Sequence, residues 1–278
     1  VMAAAKLADE KNISVVCGTQ RRHNRGYLEC YRYVASGFIG EIVGGACYWN
    51  TGRTWYRTRK PEWNDTEYIL YNWLNYPFMG GDVITDHQIH NIDVVSWFMG
   101  NKNPVKAIGQ GAKIRPSVGN KYDFFMVDYE FENNVHIVSS SRHIDGCTDL
   151  IGEVVRGTMG SSNCCDTVWD DKGNVIFKYE PPKDANGNIS SPSDYEQEHI
   201  DWVTSIRNNK PINDAHNMVR STLICIMGRD SAYTGKTLTW NEILTSQSQL
   251  GPDITAMGKV DFTDEHPLPG KATAPHVD

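Results

Sequence analysis

No run of apolar residues in this chain of 278 approaches the ~20 needed to cross a bilayer, which excludes a membrane-spanning helix. Positive charge is scarce as well: 27 Lys and Arg stand against 34 Asp and Glu, a net charge of −7. Nucleic acids and anionic membrane surfaces favour basic patches, so neither is expected as a partner. Cysteine is present without a framework. The seven (17, 30, 47, 147, 164, 165 and 225) are odd in number, and adjacent Cys164 and Cys165 suit neither zinc ligation nor an ordinary bridge. Free thiols are expected, and with them a reducing compartment. Internal repeats are missing. So is the Gly-x-Gly-x-x-Gly turn of a dinucleotide fold: Gly109-Gln110-Gly111 comes nearest, lacks the third glycine and precedes no helix. What remains is ordinary globular composition, 40% hydrophobic and 22% charged, enough for one large domain or one and a half.

The most informative stretch runs from Gly80 to Gly100. It opens on an N-cap residue, Asp82, and closes on a glycine suited to the position after a helix. The pattern predicts one helix between them. At 100° per residue Asp82, Asp86, His90, Asp93 and Trp97 share an arc of about 80°, and the rest of the circumference is apolar. Such a helix is normally buried, and buried ionisable groups must be paired or used. Asp86 and His90 are one turn apart, so the carboxylate can hold one imidazole nitrogen and leave the other to take a proton. A core pair that only satisfies itself fits the spacing equally well. A metal site fits less well: His87 points about 60° away from His90, and no second His follows at i+4. No metal is expected.

Read in order, Met2–Lys11 is an alanine-rich helix, Ile13–Cys17 a short strand, and Gly18–His23 a loop at that strand's carboxyl end. Ligands bind at such ends in open α/β sheets, which makes Arg21, Arg22 and His23 the candidates for cofactor contact. Ile42–Thr51 is strand-like, and residues 53–78 form a long irregular stretch of aromatics and arginines. Aromatic faces beside amide and guanidinium donors suit a sugar ring; a packing loop over the sheet is the plainer alternative. Strands follow at Val105–Lys113, Asp123–Phe131, Val135–Arg142, Glu153–Thr158, Cys164–Trp169 and Val175–Tyr179, with Asn133-Asn134 as a hairpin turn. Residues 195–209 form an amphipathic helix with Ile200, Val203 and Ile206 inward, and Asn217–Thr234 a second. Glu196 and His199 are taken as surface charge. The tail from Gly251 is proline-rich and extended.

Ile-Thr-Asp-His-Gln-Ile-His-Asn-Ile-Asp-Val-Val-Ser-Trp (84–97) resembles the catalytic helix of the Gfo/Idh/MocA (glucose–fructose oxidoreductase/inositol dehydrogenase) family. Gln20-Arg21-Arg22, Gly37-Phe38-Ile39-Gly40 and the two C-terminal helices resemble it too. The resemblance implies an α+β fold: the C-terminal stub of a Rossmann domain (1–40), then a predominantly antiparallel sheet domain with flanking helices (41–250), then an arm (251–278). It implies an NAD- or NADP-dependent oxidoreductase, with Asp86 beside the nicotinamide and His90 as general base. The parts that cradle the pyrophosphate are expected to precede residue 1. Tyr71-Asn72-Trp73 ahead of Gly80-Gly81-Asp82 looks most like bacterial members that oxidise a sugar or glycoside, several at the C3 hydroxyl. Substrate contacts are expected from Asn72, Trp73, Asn91, Arg142 and His143. The same residues would serve an NAD-dependent glycosidase of that family. A non-catalytic substrate-binding or assembly domain is the alternative from another class. A homo-oligomer through the open sheet face is expected, in the bacterial cytoplasm or, as the alternative, the periplasm.

Overall fold

The computed structural model describes residues 1–115, 118–266 and 268. Its helices are α1 (Met2–Glu10), α2 (Arg25–Ala35), α3 (Asp65–Tyr71), α4 (Pro77–Gly80), α5 (Val83–Asp86), α6 (Ile89–Phe98), α7 (Asp194–Arg207), α8 (Ala215–Thr234) and α9 (Trp240–Thr245). Its strands are β1 (Ile42–Thr51), β2 (Lys106–Ala112), β3 (Phe124–Phe131), β4 (Val135–His143), β5 (Leu150–Gly157), β6 (Gly160–Ser162), β7 (Thr167–Asp170), β8 (Val175–Lys178) and β9 (Leu238–Thr239). They form a nine-stranded sheet in the order β8-β7-β6-β5-β1-β4-β3-β2-β9. Antiparallel pairing dominates it, as in β2–β3, β3–β4 and β5 through β8. The α+β fold with a mainly antiparallel sheet is the one expected.

Cα proximity divides the chain into two compact units. The first holds Val1–Ala46, His90–Asn103 and Gly152–Thr222; the second holds Cys47–Ile89, Pro104–Ile151 and Leu223–Asp278. In the first, the apolar side of α2 meets that of α6 and the inner faces of β5 and β7. Tyr27, Cys30, Val34, Val94, Trp97, Phe98, Val155 and Val168 form one buried cluster. Tyr31 stacks on Trp97 at 4.7 Å, an offset aromatic pair. Ile13–Cys17 is not a strand here. Only Val15 makes a bridge, parallel to Asn213, because a five-residue apolar run with a single partner residue gains little from pairing. On α7 the expected inward residues are out: Ile200 is 47% exposed, Val203 39% and Ile206 56%. Periodicity shows which side chains share a face, not what covers it. Glu196 closes a capping box with Ser193 at the start of that helix, a more definite role than surface charge.

In the second unit the hairpin β3–β4 turns at Asn133 and Asn134, both at positive φ (60° and 58°), as a tight type I′-like turn requires. Alternation then sends Phe125, Val127, Tyr129 and Phe131 to the buried side of β3. On β4 it sends Ile137, Ser139, Ser141 and His143 there. The second half of that inner face is therefore polar. Gly109, the remnant of an apparent nucleotide motif, serves packing instead: a Cβ there would lie 2.7 Å from the Gly228 carbonyl oxygen of α8. Residues 53–78 are less irregular than expected, because Asn64 and Glu67 form a capping box that starts α3. Tyr68, Ile69 and Tyr76 pack there, covered by Ile254, Val260 and Phe262 of the tail. The tail is an extended strap tied by Thr66 Oγ1 to the Gly258 oxygen (3.1 Å) and by Tyr76 Oη to Asp264 (2.7 Å). Of the arm expected over 251–278, residues 267 and 269–278 lie outside the described residues. Among the described residues no helix is long and apolar enough to cross a membrane.

Candidate active site

The stretch 80–100 is two helices, not one. α5 ends at Asp86 and α6 begins at Ile89. Between them the Gln88 amide reaches back five residues to the Val83 oxygen (3.1 Å), and the Gln88 side chain donates to Ser139 Oγ (2.8 Å) and the Cys47 oxygen (3.2 Å). A polar side chain with buried partners on two strands wins over one more helical turn. The single-helix projection therefore stops at residue 86. Asp82, the expected N-cap, sits at φ 74°, ψ 168°. Such backbone is nearly reserved for glycine and costs about 1–3 kcal/mol. Its carboxylate is buried and accepts from the Val83 amide (2.6 Å), the Tyr122 amide (3.2 Å) and Tyr233 Oη. Burial raises its pKa against those bonds.

Asp93, in the first unit, is also answered. Arg22 donates to it from Nε (2.7 Å) and Nη2 (2.9 Å), and Ser221 Oγ adds a third bond at 2.7 Å. The same guanidinium lies over Trp97 at 5.2 Å. Two acids of the predicted stripe thus hold structure. The other two ionisable residues of that stripe, Asp86 and His90, are each half-buried, whereas Asn91 through Met99 are all buried. Asp86 has His87 as its neighbour, Oδ2 to Nδ1 2.8 Å, at an angle that makes an ion pair and not a hydrogen bond.

The expected cofactor residues are spent on neighbours. Arg21 pairs with Glu153, Arg22 with Asp93, and His23 sits 2.8 Å from Asp201 and 3.6 Å from Asp214. Burial opposes the charge on His23, but the nearby Asp214 and the hydrogen bond with Asp201 outweigh it and raise its pKa. These three side chains do not fit a pyrophosphate, which wants unanswered donors. Asn91, expected at the substrate, is fully buried and donates to Glu153 Oε1 (2.8 Å), as Tyr27 Oη does to Oε2 (3.1 Å). Desolvation still wins at Glu153 and pushes its carboxyl up to about 7, against Arg21, Tyr27 and Asn91.

In the second unit the substrate candidates separate. Asn72 is buried and bonds to both the amide and the carbonyl of Arg57, so it shapes the aromatic loop from within. Trp73 stays 39% exposed, edge-on to Trp55 at 6.2 Å. Arg142 donates to the Thr148 oxygen at 2.6 Å. His143 is buried, lies 4.9 Å from the His87 ring, and neither of its nitrogens has a hydrogen-bond partner among the described residues. Burial, then the charges of His87, Lys121 and Arg115, push it down to about 3, so it is neutral.

Nothing in the sequence signals the polar cavity beside these residues. It measures about 260 Å³ and is lined by Arg53, Thr54, Tyr56, Asn75, Arg115, Lys121, Asp123 and Asp145. Lys121, buried to 5% exposure, reaches it from a turn held down on the Asn75 carbonyl by the amides of Asn120 (3.1 Å) and Lys121 (3.3 Å). Gly119 (φ 80°) is required in that turn, since a Cβ would stand 2.0 Å from the same oxygen. A lysine in a polar turn reads from sequence as solvated, and only the fold buries it.

No curated protein matches this chain. Among solved structures it is similar to an oxidoreductase from Agrobacterium radiobacter in complex with NAD+, L-tartaric acid and magnesium: TM-score 0.61, 15% identity, 87% of this chain and 69% of that one. It is also similar to a levoglucosan dehydrogenase in complex with NADH and levoglucosan (0.64, 15%, 83% and 67%). A third is a putative myo-inositol dehydrogenase from Sinorhizobium meliloti 1021 (0.58, 11%, 86% and 69%). At such identities the likeness establishes the fold. Residues 27–163, which contain the whole of the stretch 80–100, match the GFO/IDH/MocA C-terminal domain.

Proposed function

We propose that this chain is the substrate-binding part of an NAD(P)-dependent oxidoreductase that oxidises a hydroxyl of a sugar or glycoside, with C3 the first position to test. One observation carries the reading: Asp86 and His90 lie inside the family match, and both stand half-buried beside a run, Asn91 to Met99, that is buried throughout. His90 takes the proton of the reacting hydroxyl, and Asp86 favours the charged imidazole that results. Proton transfer to a placed base of this kind is typically worth ~10²–10⁴ in rate. NAD(P) accepts the hydride; since the described residues offer no pyrophosphate cradle, the reading assigns this chain the substrate and the proton only. The exposed Ile108 and Met126 on the outer face of β2 and β3 favour a homo-oligomer through that face, which light scattering at more than the monomer mass would bear out.

The test is binding and turnover with a panel of neutral sugars and polyols, including levoglucosan and myo-inositol. Calorimetry is expected to show binding, and absorbance at the NADH band is expected to rise with sugar and NAD⁺ wherever turnover occurs. A chain that binds no sugar or polyol at millimolar concentration is not a sugar oxidoreductase's substrate domain.

A further inference from the structure

The cavity in the second unit has an odd charge. Asp123 is answered three times, by the amides of Ile114 (2.8 Å) and Arg115 (2.9 Å) and by Arg115 Nη2 (3.1 Å). Asp145 is answered at the rim by the Arg53 amide (2.8 Å) and by Arg53 Nε (3.1 Å). Those two arginines cancel those two carboxylates. Lys121 remains, with Thr54 Oγ1 as its one hydrogen-bond partner and no carboxylate within ion-pair distance among the described residues. An ammonium has three donors, so two of them have no acceptor. Deeper in, Asp82 spends its oxygens on Tyr233, Tyr122 and Val83. Around the same cavity the Arg115 Nε and both nitrogens of neutral His143 also lack partners. Each such group is costly to bury if nothing answers it.

We infer that this cavity receives a carboxylate, and that the substrate is an acidic sugar, a uronic or aldonic acid, whose carboxylate pairs with Lys121. The inference rests on the sugar-oxidoreductase reading and names its substrate class. A single unanswered cation matches a single negative charge. A phosphate monoester would bring nearly two charges and three strongly accepting oxygens, more than one lysine answers. Lys121 itself is poised for this: burial lowers its pKa to about 8 although Asp82, Asp86 and Asp123 pull upward, with Arg115 opposing them. A bound carboxylate holds the proton on, so binding of the acid weakens as pH rises through about 8.

Titration calorimetry on the whole chain tests it, with D-glucuronate, D-galacturonate and D-gluconate set against methyl D-glucuronate, methyl D-galacturonate and D-gluconamide. At least one acid is expected to bind about tenfold or more tighter than its neutral counterpart, with a preference that fades above pH 8. Lys121→Met is expected to bring acid and neutral ligand within about twofold of each other, and Lys121→Arg to keep part of the preference. If every neutral form binds as well as its acid, or D-glucose 6-phosphate binds tighter than all of them, the carboxylate assignment falls and the sugar reading stands. A Lys121→Met protein that melts normally and keeps the preference also overturns it. If neither acids nor neutral sugars bind, both readings fall together.

Discussion

Each unit of this protein buries a cation, and the two are treated differently. Arg22 in the first unit has Asp93 on two of its nitrogens, Asn101 on one of the same, and Trp97 beneath it. Lys121 in the second, the more deeply buried of the two, has a threonine hydroxyl. Burying a charge is tolerable when it is paired and expensive when it is not. An answered charge belongs to the architecture; one kept unanswered, on the wall of a cavity, is held for something that arrives. The same count sorts the acids of residues 80–100. The carboxylates of Asp82 and Asp93 accept three hydrogen bonds each, whereas Asp86 has an exposed side and one misaligned histidine.

The largest effect is expected within the stretch 80–100. His90→Ala should lower kcat by ~10²–10⁴ with a much smaller change in KM, the mark of an interaction made chiefly in the transition state. Steady-state kinetics with a melting curve decide it: an early-melting variant with wild-type turnover would make His90 a structural residue. In the first unit, Asp93→Ala should cost about 3–5 kcal/mol of stability, because it strands Arg22 inside the protein. Urea unfolding with unchanged m-value would measure that loss, and a cost below about 1 kcal/mol would mean the pair is not structural.

A third test uses pH. Glu153 has an ordinary value of 4.5 and is pushed up to about 7 in the fold, so the native state holds its proton more tightly than the unfolded chain. Its contribution to stability is complete below 4.5 and is lost as pH rises through 7. The stability of the wild type relative to Glu153→Gln should fall across that window in paired thermal melts. A flat difference would mean Arg21 dominates and the carboxylate is ionised throughout. The smallest effect is the sharpest contrast with Asp93: Lys121→Met should change stability by about 1 kcal/mol or less, in either direction, since it removes a desolvated charge with no ionic partner to strand. A loss as large as that of Asp93→Ala would make Lys121 a structural residue.

Much of this was legible beforehand. The β3–β4 hairpin announced itself through two asparagines that tolerate positive φ, and α7 and α8 through their helical pattern. The stretch 80–100 was recognisable by its spacing of Asp and His. Local chemistry decides such features, because a turn, a cap or an amphipathic face is written in neighbouring residues. The break at His87–Gln88 was not legible, since it depends on Ser139 and Cys47, about forty to fifty residues away in sequence. Nor was the fate of Arg21, Arg22 and His23, whose carboxylate partners come from β5, α6, α7 and the residue before α8. The exposed apolar residues of α7 and the burial of Lys121 belong to the same class. The sequence by itself determined most of the helices and strands and the spacing that sets Asp86 four residues before His90. Only the tertiary structure decided which charges are answered, because pairing and desolvation are set by groups that the chain brings together from far apart.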